Sequence, residues 1–73
     1  MWVVDYDVPR EPKAKRMAFY RALWRILKEH KIIAKARSTM SVWILDNEEI
    51  AAEIHDLASK FGKSHLYEAR PVA

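Results

Sequence analysis

Within 73 residues the hydrophobic period of this chain switches from two to 3.6 and back, and then does so again. That alternation leaves few ways to fold. In residues 2–9, WVVDYDVP, the side chains of Trp2, Val4, Tyr6 and Val8 fall on one side of a strand. Val3, Asp5 and Asp7 fall on the other, because successive strand residues face opposite ways. Pro9 and Pro12 stop the strand, and Pro12 suits the first turn of a helix. From about Lys13 to Glu29 the apolar positions Phe19, Ala22, Leu23, Ile26 and Leu27, with His30, recur at i, i+3, i+4 spacing. This predicts an amphipathic helix whose far side carries Arg21, Arg25 and Lys28, flanked by Met17 and Trp24.

Residues 32–37, IIAKAR, and 40–45, MSVWIL, read as the two strands of a hairpin turning at Ser38-Thr39. Asp46 is the expected cap of a second helix, with Glu49 three residues on completing a capping-box pattern. Ile50, Ala51, Ile54, Leu57, Ala58 and Phe61 supply its apolar face. Gly62, the single glycine, stands where a left-handed residue commonly ends a helix. Residues 64–70, SHLYEAR, read as a last strand closed by Pro71. The order β-α-β-β-α-β predicts an α+β, ferredoxin-like domain spanning residues 1–73. Its four-stranded antiparallel sheet carries two helices on one face. The other face is open, and Asp5 and Asp7 lie on it.

A domain this short buries only about 60% of the surface its unfolded chain exposes, which makes oligomerisation a natural source of stability. There are no cysteines, so disulfides and thiolate metal sites are excluded and an intracellular, cytoplasmic setting is expected. The start of the chain lacks a basic lead and no apolar run exceeds four residues, so neither a signal peptide nor a membrane span is expected. The net charge of +3 is unevenly spread. Ten Lys and Arg lie between Arg10 and Arg37 against Glu11 and Glu29, an excess of +8. Asp46, Glu48, Glu49, Glu53 and Asp56 then follow with no Lys or Arg among them. A basic surface of this kind attracts polyanions.

No Gly-rich phosphate loop, zinc-protease motif or nucleophile elbow is present. His30, His55 and His65 share no ligand spacing, and no histidine metal site is expected. Asp5 and Asp7 are the remaining candidates for chemistry. Two residues along a strand span roughly 6.5–7 Å, too far to share a proton. Such a pair can still serve magnesium, with water and a phosphate completing the shell. Solvation, or ion pairs with Arg37 or Arg70 from neighbouring strands, is the plainer alternative. The stripe Arg21, Arg25 and Lys28 can follow phosphates, with Trp24 stacking or anchoring beside it. Lys13, Lys15, Arg16, Lys35 and Arg37 enlarge that positive area.

The run VVDYDVP followed by a basic helix resembles the opening of the small CRISPR-associated Cas-two family. TMSVWI, residues 39–44, is similar to that family's Ser-Val-Phe at its third strand, with Trp43 in place of the phenylalanine. HLYEARP has the position and length of its fourth strand, so the similarity covers nearly the whole chain. Asp5 stands where members carry an apolar or neutral residue. The resemblance implies a homodimer formed by the open sheet faces, with Asp7 near its symmetry mate. It implies two activities. One is a DNA-bridging role in spacer acquisition beside a Cas-one-type integrase. The other is a magnesium-dependent endonuclease, a toxin-type RNase or a DNase, with Asp7 as catalytic residue and metal ligand and Asp5 assisting. The leading expectation is the bridging protein. A regulatory, ligand-binding ferredoxin-like module is the alternative without nucleic acid.

Overall fold

The computed structural model describes residues 1–32, 37–39, 41–70 and 72, with the backbone alone at 37–39. Trp2–Asp7 forms β1, Lys13–Glu29 α1, Arg37–Thr39 β2, Val42–Leu45 β3, Glu48–Phe61 α2 and Lys63–Glu68 β4. Strand β1 is central, antiparallel to β3 on one side and to β4 on the other. The short β2 pairs antiparallel with β3 at the edge, giving the order β2-β3-β1-β4. The α+β class and the element order agree with the sequence reading. Most of the strand expected at 32–37 lies outside the described residues, as do Lys35, Met40 and Pro71.

The period-two reading of β1 holds. Val4, Tyr6 and Val8 are buried, while Asp7 is exposed. From the helices, Phe19, Leu23, Ile26 and Leu27 of α1 and Ala51, Ile54 and Ala58 of α2 meet them, together with Trp43 and Leu45 of β3. One core therefore lies between the helix layer and one face of the sheet. Burying each large apolar side chain there is worth about 1.5–3 kcal/mol. Phe19 ties the layers together, with edge-on contacts to Tyr6 and Tyr20 at 5.1 Å and a tilted contact to Phe61 at 5.7 Å.

Three local expectations are corrected. Ser38 and Thr39 do not form the hairpin turn; they belong to β2, and β3 begins at Val42. Arg37 lies opposite Trp43 and Thr39 opposite Val42, a register irregularity that displaces the reversal of the chain toward Ser41. The cap of α2 is Asn47, not Asp46. Asn47 has extended backbone and its Oδ1 accepts the Ile50 N–H at 3.1 Å, so the expected capping box with Glu49 does not form. Gly62 is not left-handed; its φ of −175° is extended. It is needed for close approach, since a Cβ there would collide with the Asp7 carbonyl oxygen and lie 3.0 Å from the Val8 Cα. The chain leaving α2 thus passes hard against the end of β1.

Helix α1 matches its expected bounds. Pro12 precedes it with extended backbone, and its carbonyl accepts the N–H groups of Lys15 and Arg16. At the other end, Lys31 takes φ 54°, the left-handed conformation usually given to glycine. The Ile32 N–H then donates to the Leu27 carbonyl at 2.9 Å and closes the helix.

Candidate nucleic-acid interface and the Asp5–Asp7 cleft

The open face of the sheet is ordered in rows by strand register. Ile44, Val3 and Tyr67 lie side by side across β3, β1 and β4. Val42, Asp5 and His65 form the next row, and Asp7 faces Lys63 beyond it. Ile44 and Tyr67 are exposed, and Val3 and Asp5 are half-buried. The face is therefore apolar at one end and charged at the other. The neighbours of the two aspartates are His65 and Lys63 of β4. Arg70, an alternative partner by sequence, instead lies 3.8 Å from Glu68 at the surface. His65 and Tyr67 stack along β4 with ring centroids 6.1 Å apart.

Asp5 and Asp7 also line a cleft of about 520 Å³ at the end of β1, together with Arg10, Arg16, Tyr20 and Ser41. Arg16 is fixed there by the protein. Its guanidinium donates to the Val8 carbonyl at 3.0 Å and to the Tyr20 hydroxyl at 3.3 Å, and lies 5.1 Å from the Tyr20 ring centroid. The Ser41 carbonyl accepts the Tyr6 N–H at 3.0 Å and brings the β3 end of the cleft in. Asp5 and Asp7 stand roughly 6.5–7 Å apart along the strand, so they offer an ion one or two carboxylates and no more. A magnesium ion at Asp7 would draw its further ligands from substrate phosphate, water or a partner chain.

The outer side of α1 is the second candidate surface. Lys13, Lys15, Arg21, Arg25 and Lys28 are all exposed, and Glu29 is the one acid on the helix. Met17 and Trp24 are 50% and 52% exposed on the same side. Positions 17, 21, 24 and 28 follow one another at helical spacing, so methionine, arginine, tryptophan and lysine form one line along the helix. The set of basic residues read from the sequence is thus divided. Lys13, Arg21, Arg25 and Lys28 share the outer side of α1, Lys15 is exposed on its opposite flank, Arg16 is engaged in the cleft, and the side chains of Lys35 and Arg37 lie outside the described residues.

Side chains at the other end of α1 come together without any signal in the sequence. His30 at the end of α1 meets Glu53 of α2, with Nε2 and Oε2 3.1 Å apart, and Glu29 adjoins them. His55 is occupied differently, with its Nδ1 2.7 Å from the Ser64 hydroxyl. No helix among the described residues is long and apolar enough to cross a membrane. Comparison with protein-family models, curated proteins and solved structures finds no match to this chain.

Proposed function

We propose that this protein is a dimeric, nucleic-acid-associated ferredoxin-like domain of the Cas-two kind, which bridges DNA through its two α1 helices. The observation that carries this reading is the outer side of α1, where four exposed cations, Lys13, Arg21, Arg25 and Lys28, lie beside exposed Trp24 and Met17. A polyanion is the partner that such a surface suits best, and contacts of this type are made to phosphate rather than to base edges. The layering supports the bridge. The helices cover one sheet face, so dimerisation through the open face leaves both α1 surfaces pointing outward. In a CRISPR setting, a Cas-one-type integrase would be the protein partner.

The test is binding of a labelled DNA duplex, followed by anisotropy across a salt series. Affinity is expected to fall steeply with salt, with a slope of about −0.9 per phosphate contact. The triple change Arg21→Glu, Arg25→Glu, Lys28→Glu is expected to lower affinity at least tenfold for every sequence. Unchanged affinity would remove α1 from the interface, and tighter binding to an RNA duplex would redirect the reading to RNA.

A second reading, magnesium-dependent endonuclease, is favoured by the cleft in which Asp5 and Asp7 adjoin Arg10 and Arg16. There Asp7 would hold the ion and the arginines would face a phosphodiester. Cleavage that requires magnesium and is lost in Asp7→Ala separates this reading from the bridge, which survives that change.

A further inference from the structure

We propose that Glu29, His30 and Glu53 form a binding site for a divalent transition ion of the zinc class, joining the end of α1 to α2. One ligand atom from each residue can be chosen so that all three lie within 4.8 Å of one another. Ligands bound to zinc at about 2.0–2.2 Å sit roughly 3.3–3.5 Å apart in tetrahedral geometry. His30 Nε2 and Glu53 Oε2, at 3.1 Å, already have about that separation. Only the Glu29 carboxylate has to close in, and all three residues are exposed, so the ion enters without opening the core.

The donor set selects the ion. One imidazole nitrogen with two carboxylates suits zinc, cobalt or nickel, whereas magnesium and calcium prefer oxygen alone. The position favours a cation independently of the ligands. His30 caps the C-terminal end of α1, where the last carbonyls carry partial negative charge. The backbone there is held in place, since the His30 N–H donates to the Ile26 carbonyl at 3.1 Å and the Lys31 N–H to the Lys28 carbonyl at 3.2 Å. Three protein ligands leave one position for water. Because α1 and α2 each contribute, the ion would act as a clamp between the helices. The site depends on neither nucleic acid nor dimerisation.

The experiment is thermal unfolding of the whole chain with zinc chloride, together with calorimetric titration and the visible spectrum of the cobalt(II) form. Zinc at 100 times its Kd is expected to raise Tm by about 10–20 °C. Glu53→Gln, which can keep a hydrogen bond to His30, and His30→Ala are each expected to abolish that rise. Glu29→Gln is expected to weaken zinc at least tenfold. The double change His55→Ala, His65→Ala should keep the full response, and cobalt should give the ligand-field bands of a four- or five-coordinate site. The proposal is overturned by a wild-type chain that does not respond to zinc, or by a response retained in Glu53→Gln. An equal response to magnesium also overturns it. Should His30→Ala fail to fold, the Glu53→Gln result decides.

Discussion

The indole N–H of Trp43 donates to the hydroxyl of Tyr6 at 3.1 Å, inside the helix-covered face of the sheet. Tyr6 belongs to VVDYDVP and Trp43 to TMSVWI, two of the three runs that carry the family resemblance, and they meet in the core. A buried indole needs an acceptor, and Tyr6 supplies one on the adjacent strand. Tyr6→Phe keeps the ring contact with Phe19 but removes that acceptor. It is expected to cost about 1–3 kcal/mol in urea unfolding. A change within a few tenths of a kcal/mol would show that the bond adds nothing net.

Gly62 sets the join between α2 and β4 by yielding room to the backbone of β1. Gly62→Ala places a methyl group against the Asp7 carbonyl, a rigid neighbour that cannot swing aside. The expected loss is about 1–3 kcal/mol, with the largest amide shifts in NMR at Asp7, Val8 and Lys63. Because Asp7 bounds the cleft, this variant also tests whether the cleft depends on that close approach.

Lys31 offers the opposite case. A side chain held in the left-handed region costs roughly 1–2 kcal/mol, and glycine returns about half of that as chain entropy. Lys31→Gly is expected to stabilise the fold by about 0.5–1 kcal/mol, raising Tm by a few degrees. A lower Tm would mean that the Lys31 side chain contributes more than its backbone conformation costs.

What could be read from the sequence followed the length of each periodic signal. Seventeen residues of helical spacing fixed both ends of α1, and strict alternation in β1 put Asp5 and Asp7 on the uncovered face. Asp46 and Asn47 are both good capping residues, and one position of backbone geometry chose between them. The turn between β2 and β3 leaves no mark in the sequence, because nothing in residues 37–41 punctuates the chain as glycine, proline or asparagine would. The role of Gly62 depends on Asp7, 55 positions earlier, and the meeting of His30 with Glu53 depends on how the helices pack. Neither leaves a local trace. In the same way, only the β1–β4 register reveals that Lys63 and His65 accompany the aspartates.

That register changes how two copies would meet in the proposed dimer. A twofold axis along β1 would set four carboxylates against each other, a costly arrangement. An axis parallel to the strands, midway between β1 and β4, lays each β1 over the partner's β4. Since Val3, Asp5 and Asp7 are level with Tyr67, His65 and Lys63, the apolar row then covers its counterpart and each aspartate faces a basic residue. Sheets pack about 10 Å apart face to face, a distance that long side chains span. The two axes predict opposite signs. With the axis on β1, Asp5→Asn with Asp7→Asn tightens the dimer; with the axis between β1 and β4, it weakens the dimer, by about tenfold. Lys63→Asp alone should also weaken it, and adding Asp7→Lys should restore much of the loss, because the pair is exchanged rather than removed. Sedimentation equilibrium across a concentration series measures all four chains. A double swap no tighter than Lys63→Asp alone would reject the axis between β1 and β4.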